Sequence, residues 1–546
     1  MKPNTILLTL GYAVLQAAGH PGAASDFKRA VQSRDSPATD TAESCSSNQF
    51  SSIKIPGTKI YSVTASRIVN ITVSGQFFGG TVGPVSACNV TFVYGHTGWN
   101  DSITTTVWLP LQGWTNRLVG AGGGGLATGQ GDTGLATQIL AGRAAVGTDG
   151  GHPIDPFSGA WALGPDGHIN WALLQDFASV SLNEAIILGK AATTAYFGTK
   201  SFYTYWSGCS MGGRQGMAIA QRYPTAVDGI LAGAPALHWL PFAQSLFWPT
   251  FVMQQLNTIP PPCVLNAITN ATIKACDAQD GVQDGVLAAP DACHFDPHSL
   301  VGQQVDCGAL GAAVTITANH AEVVKRIRQG ARTQNGTFIW YAPEPGAPLN
   351  LGRVGQDQAT VQCTGSVNNC TIAPFPPASD WIKLFLYENP KFDTSNLTHA
   401  QFDEAYAFAQ AKFGDVFGYE YYDLSGFKAA GGKLVSVHGL ADQLIPPQGT
   451  RDYYKRVEKL DPNVREFYRL FEAPGVQHCN GGNGPEAVDP LDAVIKWVEN
   501  GTAPETLLAK TKDGAVSRPL CQFPLVAGYR GGNTSVAASF ECRAKF

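Results

Sequence analysis

Gly208-Cys209-Ser210-Met211-Gly212 places a serine among small residues in the pattern G-x-S-x-G. A serine hydroxyl becomes a useful nucleophile only where the backbone exposes it and a base takes its proton. The flanking residues meet the first need. Phe202–Trp206 reads as a strand and Gly213–Arg222 as a helix. A sharp strand-to-helix turn lifts the hydroxyl clear of a sheet and tolerates only small neighbours. The helix N-terminus then aims free amides at the oxygen on which negative charge develops. The pattern alone also fits an ordinary glycine-rich turn, so its context carries the reading.

The base and its orienting acid must come from elsewhere in the chain. In strand-turn-helix sites they follow the serine in the order Asp, then His. The strand Leu434–Val437 runs into His438-Gly439-Leu440-Ala441-Asp442, which puts Asp442 on a loop after a strand. The strand Phe467–Phe471 runs into Ala473-Pro474-Gly475-Val476-Gln477-His478-Cys479, which does the same for His478. His438 competes for the role of base, but it closes a strand before Gly439 and reads as a supporting residue. Cys209 precedes the serine and Cys479 follows His478. A disulfide between them would hold their Cα atoms about 4.4–6.8 Å apart and set Ser210 beside His478. Spacing does not decide connectivity, so each could also pair elsewhere.

These residues need a scaffold that brings three distant loops to one edge. Residues 58–108 alternate apolar and polar in short runs and read as antiparallel strands. Arg117-Leu118-Val119 is a short strand leading into Gly122–Gly125, and Ala144–Thr148 is another. Trp171–Ala192 carries helix-spaced apolar residues, and Leu491–Val498 reads as a closing helix. Strands alternating with helices imply a largely parallel sheet covered on both faces. Residues 240–425 depart from this rhythm. They hold Pro260-Pro261-Pro262, six cysteines and weak periodicity, and read as an inserted domain. The catalytic domain is then 45–239 plus 426–546.

Inside the expected insert, Cys276-Asp277-Ala278-Gln279-Asp280-Gly281-Val282-Gln283-Asp284-Gly285-Val286 gathers three carboxylates and two glycines. Calcium takes six to eight oxygens, which carboxylates and backbone carbonyls supply. The spacing is not that of an EF-hand, and a solvated acidic turn is the alternative. Cys276 and Cys293 bracket this loop and are expected to pair and brace it.

Composition narrows the class. With 44% hydrophobic and only 14% charged residues, the chain is a packed globule, not a disordered one. A net charge of −5 argues against recruitment of nucleic acid or acidic membrane by bulk electrostatics. Lys2, the apolar run Ile6–Ala18 and the small residues after it read as a signal peptide over 1–24. Residues 25–44 read as a pro-segment or disordered stretch. An even count of 12 cysteines fits export. So do sequons at Asn70, Asn89, Asn100, Asn270, Asn335, Asn369, Asn396, Asn500 and Asn533, which together suggest a secreted glycoprotein.

The order Cys-Ser, Asp, His-Cys resembles the signature of the tannase and feruloyl esterase family. The likeness extends over nearly the whole mature chain. It includes Cys88-Asn89-Val90-Thr91, Gly122–Gly125, His168-Ile169-Asn170-Trp171, Gly208–Gly213, the 260–293 region, His438–Asp442 and His478–Gly482. The runs near Cys88, His168 and Pro260–Cys276 look closer to fungal tannases. The resemblance implies an α/β-hydrolase fold with a large inserted lid, and a triad of Ser210, Asp442 and His478. It also implies a Cys209–Cys479 bond and an oxyanion hole from the amides of Met211 and Gly125. Met211 is a departure at a position that varies in the family; because the donor there is a backbone amide, the implied mechanism is not threatened. Asp277, Asp280 and Asp284 would be side-chain ligands of a structural calcium ion, with Val282 and Val286 as carbonyl ligands. Cys45, Cys88, Cys521 and Cys542 are also expected in disulfides; the partners of Cys263, Cys307, Cys363 and Cys370 stay open. The implied activity is cleavage of galloyl or hydroxycinnamoyl esters, on small phenolic or plant-derived polymer substrates. No organic cofactor is implied. The rival readings are an acyltransferase or a catalytically silent binding protein on the same scaffold.

Overall fold

Leu118, Trp206, Leu434 and Leu470 point to one side of a central sheet, and their chain neighbours Val119, Tyr205, Val435 and Phe471 point to the other. That alternation is the period-2 geometry of a strand, and here both faces are apolar because both are covered. The structure is a computed structural model that describes residues 45–75, 80–311, 313–418 and 421–544. The expected signal peptide and pro-segment lie outside those residues.

The main sheet has nine strands: β1 (Thr58–Ser74), β2 (Thr81–His96), β3 (Ile103–Pro110), β4 (Arg117–Ala121), β5 (Ala144–Thr148), β6 (Tyr203–Cys209), β7 (Gly229–Gly233), β8 (Lys433–Gly439) and β9 (Tyr468–Ala473). Their order across the sheet is β1-β2-β3-β5-β4-β6-β7-β8-β9. The pairs β1–β2, β2–β3 and β3–β5 are antiparallel, and the rest are parallel. In the parallel part the carboxyl ends of β6, β8 and β9 share one edge. Register fixes this: Trp206 lies opposite Ile230, Leu231 opposite Val435, and Val435 opposite Arg469.

Helices cover the sheet. The region expected as one helix over Trp171–Ala192 is two, α1 (Trp171–Ala178) and α2 (Val180–Phe197). They break at Ser179, whose backbone is not helical (φ −167°, ψ −24°). Helix α3 (Met211–Arg222) follows β6 directly. Between β7 and β8 lie α4 (Trp239–Leu246), α5 (Trp248–Gln255), α6 (Pro262–Cys276), α7 (Ala318–Arg328) and α8 (His399–Phe417). The weak periodicity there has a physical reason. All eight residues of α4 are buried, so it shows no polar face to contrast with an apolar one. The apolar cluster of this region runs without a break into Phe177, Met211 and Ala218 of the sheet-covering helices. After β8, α9 (Pro447–Leu460) packs Tyr453, Tyr454 and Val457 on one sheet face. After β9, α10 (Pro490–Asn500) packs Leu491, Val494, Ile495 and Trp497 on the other.

Arg451 of α9 ties these parts together. Its guanidinium pairs with Asp291 at 2.7 Å, with Glu344 at 3.0 Å and with Glu472. Glu344 is buried, and burial pushes its pKa up to about 8 despite the arginine beside it. Near neutral pH such a carboxyl is largely protonated, so loss of the arginine removes its charge-assisted hydrogen bonds without leaving Glu344 as a buried charge, at a cost of about 1.5–3 kcal/mol. Arg451→Met is therefore expected to lower unfolding free energy by about that amount in urea denaturation. A loss of about 3–5 kcal/mol would show that Glu344 stays ionised and is left uncompensated.

Candidate active site

Ser210 sits at the tip of the turn between β6 and α3, with φ 63° and ψ −122°. Few non-glycine residues take up such a backbone, and it persists only where the surroundings hold it. Three hydrogen bonds hold this one. The Ser210 amide donates to the Gly233 carbonyl at 3.0 Å, and its carbonyl accepts from Arg214 at 3.0 Å and Ala236 at 3.2 Å. The turn is too tight for side chains. A Cβ on Gly208 would meet backbone atoms of Gly212 at 2.6 Å, and one on Gly212 would meet the Gly123 carbonyl at 2.9 Å.

The glycine run is fastened to α3. The Gly212 amide donates to Gly123 O at 3.0 Å, and Gly123 donates to Gln215 Oε1 at 2.9 Å. Gln215 in turn donates to Thr128 O at 3.0 Å. Leu126 and Ala127 spend their amides on Pro156 and Gly124. These loop bonds use the amides of Gly122, Gly123, Leu126, Ala127 and Gly212, with Gly124 bridged to Ala127; among the described residues they do not include those of Gly125 or Met211. Gly125 adopts φ 57°, and a Cβ there would meet the Pro156 carbonyl at 2.2 Å. The Met211 side chain is buried, and its sulfur accepts from Arg214 Nε at 2.8 Å.

Asp442 and His478 stand at the ends of β8 and β9. His478 Nδ1 lies 2.8 Å from Asp442 Oδ2. A carboxylate accepts, so Nδ1 carries the proton and Nε2 keeps a free lone pair. Asp442 is fully buried. Its Oδ1 accepts from the amides of Leu444 and Ile445, both at 2.8 Å. Burial opposes ionisation, but the His478 charge and hydrogen bonds from His438 and His478 prevail. They hold Asp442 well below the usual carboxylate range.

His438, the competing histidine, is fully buried with Nε2 3.2 Å from Asp442 Oδ2 and 3.0 Å from the Ile445 carbonyl. Its Nδ1 lies 2.9 Å from the Thr450 hydroxyl. Both of its ring nitrogens are thus engaged, one of them on Asp442. Gln443 was not singled out by sequence, yet its Oε1 accepts from the His478 amide at 3.1 Å and its Nε2 donates to Gln356 O at 2.7 Å. No spacing pattern marks such a residue, because its role depends on two chain crossings.

Cys209 and Cys479 are bonded, with Cα atoms 5.9 Å apart and a sequence separation of 270. Cys479 also has φ 63°. The other pairs are Cys45–Cys88, Cys263–Cys307, Cys276–Cys293, Cys363–Cys370 and Cys521–Cys542. The sequence left four of these cysteines unassigned.

In the acidic loop, Asp277 accepts from the amides of Asp284, Gly285 and Val286 at 3.1–3.3 Å. Asp280 accepts from Val282 at 2.9 Å, and Asp284 pairs with Arg518 at 2.9 Å. Burial raises the Asp280 carboxyl to about 6, with the charges of Asp284 and Asp277 adding to the effect.

A model of the tannase and feruloyl esterase family matches residues 88–543. The chain belongs to that family. It is 41% identical over 474 residues to a probable feruloyl esterase of Arthroderma benhamiae, covering 85% of this chain and 86% of that one. It is 30% identical to a tannase of Aspergillus oryzae, covering 83% and 84%. A solved tannin acyl hydrolase from Aspergillus niger superposes with a TM-score of 0.80 at 30% identity, over 92% and 95% of the two chains. The fold is an α/β-hydrolase with helices on both faces, and the chain is a carboxylic ester hydrolase.

The disulfide generates a prediction. A loop of 270 residues closed by one bond is worth about 5 kcal/mol in the chain-entropy model. A shift of about 1 Å between reacting groups can cost on the order of 100-fold in rate. Cys209→Ala with Cys479→Ala is expected to lower both Tm and kcat, the latter even well below Tm. Each single substitution should match the double one. Wild-type kcat in the folded double variant would remove the bond from catalysis.

Proposed function

We propose that Ser210, His478 and Asp442 hydrolyse esters of phenolic acids through an acyl-enzyme. The observation that carries this is one arrangement. A disulfide joins the residue before Ser210 to the residue after His478, and His478 Nδ1 lies 2.8 Å from buried Asp442. Ser210 Oγ attacks the ester carbonyl carbon as His478 Nε2 takes its proton. The carbonyl electron pair moves onto oxygen, where the amides of Met211 and Gly125 receive the charge. Collapse returns the pair, breaks the bond to the alcohol oxygen, and sends the His478 proton to the departing alcohol. Water then repeats the attack on the acyl-serine, with His478 as base, and the free acid leaves. Asp442 stays ionised throughout and holds the imidazole in the tautomer the cycle needs.

The acyl group is aromatic, galloyl or hydroxycinnamoyl, in line with the names of the relatives. The chain is exported: six disulfides with no free cysteine among the described residues favour an oxidising compartment. No helix among those residues is long and apolar enough to cross a membrane.

Ser210→Ala is expected to abolish hydrolysis, by several powers of ten, and reaction with a fluorophosphonate probe, while Tm stays near wild type. Near-normal turnover by a folded variant would exclude Ser210 as nucleophile. On a panel of methyl gallate, methyl ferulate, methyl caffeate and a short aliphatic ester, the aromatic esters should show the higher kcat/KM.

The loop Asp277–Val286 takes a structural calcium ion in this reading. The donors fit in kind: three carboxylates with the carbonyls of Val282 and Val286 are hard oxygen ligands. The burial that raises Asp280, with the charges of Asp284 and Asp277 adding to it, also fits, because a cation would offset both. When bound, the ion supplies stability and no step of the reaction. Chelation is expected to lower Tm more than it lowers the initial rate at moderate temperature, since a ligand stabilises the state it binds. Equal Tm in loaded and metal-stripped protein would refute the ion's role.

A further inference from the structure

Far along the chain from the triad, three carboxylates and an imidazole meet where the β2–β3 hairpin packs against α1 and α2. His96 ends β2, Asp101 precedes β3, Asp176 belongs to α1 and Glu184 to α2. Asp101 and Asp176 side chains are fully buried, and those of His96 and Glu184 are 11% and 9% exposed. Burying carboxylates is expensive unless each finds donors or a cation.

Asp101 and Glu184 find donors. Asp101 Oδ1 accepts from the His96 amide at 2.8 Å, and Oδ2 lies 2.5 Å from His96 Nδ1. Glu184 Oε2 accepts from the Tyr94 hydroxyl at 3.0 Å, and Oε1 lies 2.8 Å from His96 Nε2. Asp176 does not: neither of its oxygens has a hydrogen-bond partner among the described residues. Oδ1 instead points into the cluster, 3.8 Å from His96 Nδ1.

We propose that His96 Nδ1, Asp101 and Asp176 form a binding site for a divalent transition-metal ion such as zinc, with Glu184 orienting the imidazole. One donor atom from each of the three ligands lies within 4.8 Å of the other two. In a tetrahedral zinc site with bonds of about 2.0–2.1 Å, neighbouring donors stand roughly 3.4 Å apart. The separations of 2.5 and 3.8 Å from His96 Nδ1 to the two carboxylates bracket that value. One imidazole and two carboxylates suit zinc or manganese better than calcium, which prefers oxygen alone. Glu184 completes the carboxylate–histidine–metal arrangement: it holds Nε2–H and leaves the Nδ1 lone pair for the ion. The ion would clamp the hairpin to the two helices, and its role is structural.

The test uses tag-free mature protein, stripped with chelator, resupplied with calcium and titrated with zinc chloride by calorimetry. Cobalt(II) absorption serves as a second readout of ligation. Wild type should take up one zinc that raises Tm, and the near-isosteric Asp176→Asn should lose it. Glu184→Gln, which keeps all three ligands, should weaken zinc binding by about 10–100-fold. Asp280→Asn, in the separate acidic loop, should leave it unchanged. If wild type takes up no zinc, the proposal fails, and Asp176 is a protonated carboxyl sharing its hydrogen with Asp101. Uptake unaltered in Asp176→Asn overturns it too. Should that variant not fold, unaltered affinity in Glu184→Gln is the overturning result.

Discussion

A single buried carboxylate organises the site. Asp442 has no contact with water, so its charge survives only if protein groups replace the hydration it lost. Two backbone amides and two imidazoles do so. Each of those donors constrains something else. The amides of Leu444 and Ile445 fold the loop after β8 back on itself. His438 anchors that loop to Thr450 in α9, and His478 arrives from the next strand. Satisfying one charge therefore sets the relative position of β8, β9 and α9 at the edge where Ser210 emerges.

The Ser210 side depends on the opposite property, the absence of side chains. Gly122, Gly208 and Gly212 let three backbone segments approach closer than any Cβ would allow. That proximity lets Gly212 donate to Gly123 and brings the glycine run alongside α3. The Cys209–Cys479 bond then joins the side built on close backbone contact to the side built on a buried charge. Positive φ at both Ser210 and Cys479 is tolerated because strand ends, hydrogen bonds and this bond over-determine the two turns.

The region between β7 and β8 is coupled to the site as well as placed beside it. Gln356 and Gln358 bond to Gln443 and to Leu444 of the Asp442 loop, and Arg451 pairs with Asp291 and Glu344 of that region. Its apolar core merges with Met211 next to Ser210. Displacement of this region would thus be felt at Asp442 and at the oxyanion side, which gives residues distant in sequence a route to influence turnover.

Much of this was legible from residues alone. The elbow, the order of Asp and His, and the alternation of strands and helices are local patterns, because a tight turn and a covered strand demand particular residue types wherever they occur. Ser210, Asp442 and His478 were readable for that reason, each sitting on a loop just past a recognisable strand. The resemblance added the Cys209–Cys479 pairing, which spacing left open. Only the tertiary structure paired Cys263 with Cys307 and Cys363 with Cys370, since connectivity depends on where loops cross. It alone turned His438 from a rival base into a support for Asp442, revealed Gln443 and Gln215 as fasteners, and gathered His96, Asp101, Asp176 and Glu184. Those roles arise from contacts between segments that share no local pattern. A single chain carries no periodic signal for a hydrogen bond made across a sequence separation of 35 or 92.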